Sequence, residues 1–196
     1  MHGGHVRVFL SHTSELRAFP SGRSFVAAAE AAVVRARGVV TNMAYFAARD
    51  QAPSEYCWRL VQQADVYVGV IGFRYGTLVR RRSKVSSHTE LEFAAASCAS
   101  LPRLTFLLDE RREIPLPAEH ILDLDHGHRQ AAFRRRLEDA ESVMVARVAC
   151  PHELELQLYQ ALIELDEEHG AGARERARPG STAYVGSVPQ TRRPLT

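Results

Sequence analysis

The segment Asp65–Phe73, with the sequence DVYVGVIGF, is apolar along almost its whole length and does not alternate with polar residues. A strand that is covered by helices on both faces shows this pattern, because neither face meets water. Such strands belong to parallel sheets, in which the crossover connections lay helices over both faces. The segment therefore predicts a central strand of a parallel sheet and places the chain in the α/β class.

Strand-like apolar runs alternate with amphipathic helical stretches along the rest of the chain, as expected for an α/β domain. The predicted strands are His5–Ser11, Val39–Phe46, Asp65–Phe73, Leu104–Leu108 and Val143–Val148. The predicted helices are Ser24–Arg37, one that begins at Pro53, one that begins at Ser87, Arg129–Glu141 and Glu153–Glu168. This order predicts a flavodoxin-like, three-layer fold with a five-stranded parallel sheet in the order 2-1-3-4-5.

Apolar spacing predicts which face of each helix is buried. The inward stripes are Cys57, Leu60, Val61 and Ala64 in the second helix, Leu91, Ala94, Ala95 and Cys98 in the third, and Leu154, Leu158, Leu162 and Leu165 in the last. Gly38 stands where a helix commonly ends on a left-handed glycine. Segments 74–86 and 111–128 are expected to be irregular.

The length of 196 residues favours one domain with a single sizeable core. We expect this α/β domain to span residues 1–169. From Gly170 to Thr196 the chain is rich in Gly, Ala, Arg, Pro and Ser and has few large apolar residues, a composition that does not offset the entropy of ordering. Residues 170–196 are therefore expected to form a flexible linker or tail that leads to downstream domains of a larger protein.

Charge and composition exclude several classes of function. With 25 basic and 23 acidic residues, the net charge of +2 is far from that of a dedicated nucleic-acid binder, so we expect no nucleic-acid partner. No apolar run approaches the roughly 20 residues of a spanning helix, and the N-terminus lacks the pattern of a secretion signal. These features predict a cytoplasmic protein with no membrane partner.

The absence of certain sequence motifs excludes further classes of function. Lys84 is the only lysine and is followed by Val85, whereas a P-loop needs its lysine directly before Ser or Thr. No G-x-S-x-G elbow of a serine hydrolase is present. The three cysteines form no C-x-x-C pair, so we expect buried thiols rather than a disulfide framework or a structural zinc site. Two histidines and two acids in segment 123–128 lack a regular element to fix metal geometry, and we expect neither a metal nor a permanently bound cofactor.

In a sheet of this order, a ligand binds beyond the carboxyl ends of strands one and three, where the winding direction reverses. Small, polar, aromatic and glycine residues follow those two strands, and such a mixture suits a nucleotide or nucleoside ligand. The predicted binding residues at this position are Ser11, His12, Thr13, Gly72, Arg74, Tyr75 and Gly76. On the residues alone, the glycines are equally explained as places where the chain turns.

The third predicted helix brings carboxylates next to this crevice. Ser87 and Glu90 have the spacing of a capping box, in which each side chain bonds a free backbone amide at the helix start. Glu90 is also positioned one turn into the helix, where its carboxylate can face a bound sugar. Because Glu90 and Glu92 lie about 200° apart around the helix, both cannot face one site. We take Glu90 as the candidate catalytic residue and Ser87 as a further binding residue, with the capping role as the alternative.

Three segments carry a resemblance to a known family: VFLSHTS near the start, ADVYVGVIGFRYG in the middle, and S-x-T-E-L-E-F at the start of the third helix. Together they resemble a bacterial domain-of-unknown-function family that stands N-terminally in multidomain proteins with signalling ATPase modules, repeats or protease domains. That family is regarded as a relative of TIR domains. The resemblance covers most of residues 5–165 and implies a TIR-like fold.

The resemblance also implies site residues. The loop Ala47–Ser54 is similar to the mobile loop that covers the TIR site, and Glu90-Leu91 resembles the pair whose glutamate is catalytic in TIR enzymes that cleave NAD. Those enzymes usually carry a tryptophan-cysteine pair shortly before the glutamate, where this chain has Ser87 and His88. A similar order of elements with a nucleophilic glutamate occurs in nucleoside deoxyribosyltransferases.

The activity that the resemblance implies is cleavage of the nicotinamide N-glycosidic bond of NAD in bacterial defence, including antiphage defence, or stress signalling. NAD would be the substrate, and self-association would accompany the active state. The reaction leaves an oxocarbenium ion that one carboxylate, Glu90, can stabilise, as in glycoside hydrolysis. Two alternatives stay open, namely a non-catalytic interaction and oligomerisation module and a deoxyribosyltransferase-like enzyme.

Overall fold

The computed structural model describes residues 5–41, 53–81, 83–139 and 144–176. In chain order the elements are β1 (Arg7–His12), α1 (Ser14–Ala18), α2 (Phe25–Arg35), β2 (Val39–Thr41), α3 (Pro53–Gln62), β3 (Val66–Ile71), β4 (Leu78–Arg81), β5 (Lys84–Ser87), α4 (His88–Cys98), β6 (Arg103–Leu108), α5 (Ala118–Ile121), α6 (Gly127–Asp139), β7 (Val145–Val148) and α7 (Pro151–Arg176). Strands and helices alternate along most of this order.

Five parallel strands form the main sheet, in the order β2-β1-β3-β6-β7. Counted along the chain, these strands are the first to the fifth of the sheet, so the predicted order 2-1-3-4-5 is confirmed. Strand β3 lies in the centre, and all six of its residues are buried, as its continuous apolar sequence predicts. In the register, Val8 of β1 pairs with Val66 and Ser11 pairs with Gly69 of β3.

Helices cover the sheet on both faces. Val8 and Leu10 of β1 point toward α2 and α7, whereas Phe9 points toward α3 and α4. Since side chains alternate across a strand, Ser11 shares the α3 and α4 face with Phe9. On the opposite side, Leu154 and Leu158 of α7 are fully buried, and each contributes about 1.5–3 kcal/mol relative to exposure.

Two segments that were expected to be irregular contain regular structure. Strands β4 and β5 form an antiparallel hairpin within the expected loop 74–86, with Leu78 opposite Ser87 and Arg81 opposite Lys84. Segment 111–128 contains α5 and the first two residues of α6. The short helix α1 was also not expected. These elements have few apolar residues at a regular spacing, so local periodicity does not reveal them.

The end of α2 differs from expectation in one detail. Arg37, with φ of 60°, occupies the left-handed position that we assigned to Gly38. Gly38 is needed for a different reason: its amide donates to the Val33 carbonyl at 2.9 Å, and a Cβ there would lie 2.9 Å from Val33 Cγ1. The glycine therefore permits a close approach rather than a left-handed turn.

The buried face of α4 is rotated from the predicted stripe. Cys98 is exposed and Ala94 is only half-buried, whereas Glu92, Ala95 and Ala96 are buried. The predicted stripe is confirmed at Leu91 and Ala95 and wrong at Ala94 and Cys98, because it excluded glutamate from the inward face. The expectation that all three cysteines are buried is confirmed for Cys57, but Cys98 is exposed and Cys150 is half-buried.

Some predictions fall wholly or partly outside the described residues. Strand β2 is described to Thr41, so the rest of the predicted strand to Phe46 lies outside, as does most of the loop Ala47–Ser54. Helix α7 continues through the start of the predicted linker to Arg176, and residues 177–196 are not described. Among the described residues, no helix is both long and apolar enough to cross a membrane.

Candidate functional site

The predicted binding residues are distributed over three neighbouring places rather than around one cavity. The first, which we call the strand-end cleft, is a cavity of about 580 Å³ beyond the carboxyl ends of β1 and β3. Arg74 and Gly76 line it from the loop after β3, opposite Ser14 and Glu15 of α1. The remaining lining residues are Ala18, Phe19, Thr77, Leu78, His120, Asp123, Asp125 and His126.

Gly76 brings the two strand-end loops together. Its φ of +82° lies in the region that side chains rarely adopt, and a Cβ there would lie 3.0 Å from Thr13 Cγ2. The Thr13 hydroxyl donates to the Glu15 carboxylate, and both residues are buried. Thr13 therefore packs between the loops and positions Glu15 instead of lining the cleft itself.

His12 and Gly72 have structural partners. A ring nitrogen of His12 lies 2.9 Å from the Thr13 carbonyl oxygen, and burial lowers the pKa of His12. The Gly72 carbonyl accepts from Gln130 at 2.7 Å and from Arg134 at 3.1 Å. Both predicted residues thus lie at the strand ends as expected, with their polar groups occupied by the protein.

The second place, which we call the arginine cleft, is a cavity of about 680 Å³ between the start of α4, the β4–β5 hairpin and α6. Its lining residues are Tyr75, Val85, Glu90, Arg129, Ala132, Arg135, Arg136 and Asp139. Tyr75 faces this cleft, whereas its chain neighbours Arg74 and Gly76 line the strand-end cleft. Residues of one loop therefore line two different cavities.

Glu90 is held in the wall of the arginine cleft by several donors. Its carboxylate accepts a short hydrogen bond from the Tyr75 hydroxyl and lies 2.8 Å from Arg136 and 3.4 Å from Lys84. Burial raises the pKa of Glu90. The hydrogen bonds from Tyr75 and Arg136 and the positive charges of Arg136 and Lys84 together lower it by more, so the pKa of Glu90 is below its usual value. The side chain, 10% exposed, is an ionised carboxylate at a cavity wall.

Half of the predicted capping box is present. Ser87 is the N-cap of α4, and its hydroxyl accepts from the Glu90 amide at 3.1 Å. The Glu90 side chain points to Tyr75, Arg136 and Lys84, and a bond from the Ser87 amide to the Tyr75 hydroxyl takes the place of the reciprocal half. The backbone of Glu90 is thus part of the cap, while its carboxylate is directed into the cleft.

The third place, which we call the Cys57 cluster, is made of the buried residues Ser11, Cys57 and Glu92 and the half-buried His88. The Ser11 hydroxyl donates a short bond to Glu92 Oε2, and the Cys57 thiol donates to Glu92 Oε1 at 3.3 Å. Burial raises the pKa of Glu92 to about 7, although the bonds from Ser11 and Cys57 partly oppose this. Ser11 was predicted to contact a ligand, and it contacts this second acid of α4.

Sequence reasoning missed Glu92, Cys57 and His88 as polar partners of the strand end. One signal was available: Glu92 precedes Ala95, a residue of the predicted inward stripe, by three residues, which places it on the same helical face. The arginines of α6 were also missed, and nothing in their local sequence connects them with Glu90.

The aromatic and basic side chains near the β4–β5 hairpin contact other protein groups. The Arg81 guanidinium covers the Trp58 ring at 3.8 Å, and the same arginine pairs with Glu55 at 3.1 Å. Of the basic run in the hairpin, Lys84 reaches the site by its contact with Glu90. The Tyr75 ring packs edge-on against His126 and is itself buried. One face of the Trp58 ring is thus covered by Arg81, and the Tyr75 ring contacts His126.

Comparison with solved structures found a likeness to the TIR domains in a structure described as the activated Roq1 resistosome directly recognizing the pathogen effector XopQ. The identity is 14%, over 83% of this chain and 84% of that chain, with a TM-score of 0.39. The fold assignment follows from the strand order itself and not from this likeness. Comparison with curated proteins found no match.

The family comparison gives a match over nearly all of the sheet and its helices. Residues 7–163, from the first residue of β1 to the middle of α7, match the family described as a domain of unknown function, DUF4062. This match includes the strand ends, the start of α4 and α6, which together form all three places described above. The chain therefore belongs to the DUF4062 family.

Proposed function

We propose that this domain is a TIR-like effector or signalling domain that binds a dinucleotide in the arginine cleft and cleaves the nicotinamide N-glycosidic bond of NAD. The observation that carries the proposal is the Glu90 carboxylate in the wall of a cavity of about 680 Å³ that three arginines also line. A negative group beside a positively charged lining fits a substrate with a pyrophosphate and a developing ribosyl cation.

The chemistry requires little from the protein. The bond between the nicotinamide nitrogen and ribose C1 breaks, and nicotinamide leaves with the bonding electron pair as a neutral molecule. Water then attacks the oxocarbenium carbon and loses a proton to solvent, which gives ADP-ribose. Glu90 stabilises the cation electrostatically, as a carboxylate does in glycoside hydrolysis, and no general acid is needed.

Glu90 must first be released from its cations. Arg136 and Lys84 neutralise its carboxylate in the absence of substrate. A bound pyrophosphate would compete for the same two side chains, because phosphate oxygens accept charge-assisted bonds from arginine and lysine. Binding would thus free the carboxylate for the ribose. Self-association, through partner modules or downstream domains, would bring the domain into its active state.

The test is nicotinamide release from NAD by the purified chain, alone and fused to a self-assembling coiled coil that supplies self-association. We expect release by the fused chain and a decrease of about 100-fold or more in Glu90→Gln, since removal of one charge-stabilising group typically has that effect. Glu167→Gln, an exposed acid of α7, is the matched control and should retain the rate. Equal rates for the fused chain and its Glu90→Gln variant, or no release in any arm, would defeat the proposal.

One observation favours a non-catalytic interaction module: the Glu90 carboxylate already has partners within the protein, namely Tyr75, Arg136 and Lys84. For such a module, Glu90→Gln lowers the melting temperature, and neither the original chain nor the variant releases nicotinamide. A deoxyribosyltransferase-like activity predicts a different result, namely turnover of a deoxynucleoside when a second nucleobase is supplied as acceptor. Parallel incubations with NAD and with deoxynucleosides distinguish the two activities.

A further inference from the structure

The Cys57 cluster contains three groups that bind metal ions, and they are close together. The Cys57 thiol, a His88 ring nitrogen and a Glu92 carboxylate oxygen lie within 4.8 Å of one another. A point between three atoms at such separations is about 2.8 Å or less from each of them, whereas Zn²⁺ binds sulfur at about 2.3 Å and nitrogen or oxygen at about 2.0–2.2 Å. Small side-chain rotations therefore suffice to bring all three atoms to bonding distance.

Rigid elements supply the three groups. His88 and Glu92 are four residues apart on α4, so their side chains project from the same face of the helix one turn apart. Cys57 comes from α3, which packs directly against α4 in the core that includes Ala95 and Ala96. Ligands on packed helices are held more precisely than ligands on loops.

As metal ligands, Cys57 and Glu92 would both be deprotonated and would carry one negative charge each. Cys57 and Glu92 are both buried acids, and neither contacts a lysine or arginine among the described residues. A divalent ion would balance one thiolate and one carboxylate. Thiolate, imidazole and carboxylate together are a ligand set that zinc binds, with three protein groups and one open position.

Neighbouring groups support the same arrangement. Ser11 donates to Glu92 Oε2 and so leaves Oε1 on the side of Cys57. Carboxylates that bind metals are commonly oriented by such a bond. The Tyr67 hydroxyl is fully buried next to Ser11, and it makes no well-directed hydrogen bond within the described structure. A water at the open metal position would give this hydroxyl a partner.

We propose that Cys57 Sγ, a ring nitrogen of His88 and Glu92 Oε1 bind one Zn²⁺ ion, with Ser11 as the residue that positions the carboxylate. Binding replaces the thiol proton of Cys57 with the metal and releases that proton to solvent, without any redox change. The ion would fasten α3 to α4 and to the end of β1. This site is independent of the proposed reaction at Glu90, which faces the arginine cleft.

The experiment measures metal directly. The chain is incubated with excess Zn²⁺, freed of unbound metal, and its zinc content is determined by mass spectrometry, while Co²⁺ reports thiolate binding through a near-ultraviolet charge-transfer band. We expect one ion per chain and a cobalt band that is lost in Cys57→Ser but kept in Cys98→Ser, which changes the exposed cysteine. Ser11→Ala should weaken zinc binding by about 10- to 100-fold, and Glu92→Gln by more.

A zinc content that stays well below one per chain after exposure to excess metal overturns the proposal, whether or not the variants fold. So does a cobalt band that survives in Cys57→Ser. Circular dichroism of the near-isosteric Cys57→Ser and Glu92→Gln variants separates lost binding from lost folding. If zinc binds and the chain releases no nicotinamide, only the proposed function fails. If nicotinamide is released and zinc does not bind, only the zinc site fails.

Discussion

Two glutamates separated by one residue on α4 have opposite environments. Glu90 is paired with Arg136 and Lys84, and its pKa lies below the usual value, whereas Glu92 is buried against Ser11 and Cys57 and its pKa is raised to about 7. Their angular separation correctly predicts that they do not face one site. Which neighbours each acid contacts was not predictable, because those neighbours come from other elements of the chain, from β1 to α6.

Gly76 is a single residue at which an added methyl group should lower the stability of the fold. Gly76→Ala forces a side chain into a left-handed conformation and against Thr13 Cγ2, so we expect a loss of about 1–2 kcal/mol or more in unfolding free energy. Gly22→Ala is the matched control, because nothing lies within 4 Å of its added Cβ. Urea unfolding of both variants measures the difference. Equal midpoints would show that the Gly76 loop relaxes at little cost.

Among the elements, α6 connects the core of the fold with the candidate site. Gln130 and Arg134, one turn apart, reach the carbonyl groups at the ends of β3 and β6: Gln130 contacts Gly72, and Arg134 contacts Ile71, Gly72 and Leu108 at 2.7–3.2 Å. Other residues of the same helix line the arginine cleft. The helix therefore closes the strand ends and supplies most of the positive charge near Glu90.

Arg134→Met should reveal the structural part of this role. The substitution keeps much of the side-chain volume but removes the donors for three carbonyl groups, and hydrogen bonds to charged groups contribute about 1.5–3 kcal/mol each. We expect a loss of at least about 3 kcal/mol, measured by thermal and urea unfolding. Arg135→Met, at the exposed neighbouring position, should change stability by no more than about 0.5 kcal/mol. Similar losses in both variants would contradict this assignment.

For the whole molecule, ion pairs connect elements that are distant in sequence. Arg7 at the start of β1 bonds Asp65 just before β3, with both side chains about half exposed. The bond from Arg7 is the main reason that the pKa of Asp65 lies below its usual value. A carboxyl whose pKa is lowered by folding stabilises the native state above its unfolded pKa, and that contribution disappears as the pH falls through the folded pKa.

The expected result is a decrease in melting temperature as the pH falls below about 4, the usual pKa of an aspartate. Asp65→Asn should flatten part of this decrease while costing less than about 1 kcal/mol at neutral pH, since solvent screens an exposed pair. Melting curves of the original chain and Asp65→Asn between pH 6 and 3 would test this. Parallel profiles for the two proteins would assign the acid sensitivity to other carboxylates.

Local patterns in the sequence were sufficient for the fold class, the Ser87 cap and the inward leucines of α7, because each of these depends on residues that are close in the chain. The strand order was instead taken from the order common to flavodoxin-like sheets, because it joins segments that are far apart in the chain. Local patterns also located the strand ends near which all three polar places lie. Only the tertiary structure decided that Ser11 meets Glu92, that Glu90 meets Arg136, and that Arg74 and Tyr75 face different cavities. Those contacts join side chains far apart in sequence, and their partners are set by the packing of helices on a sheet rather than by any local spacing.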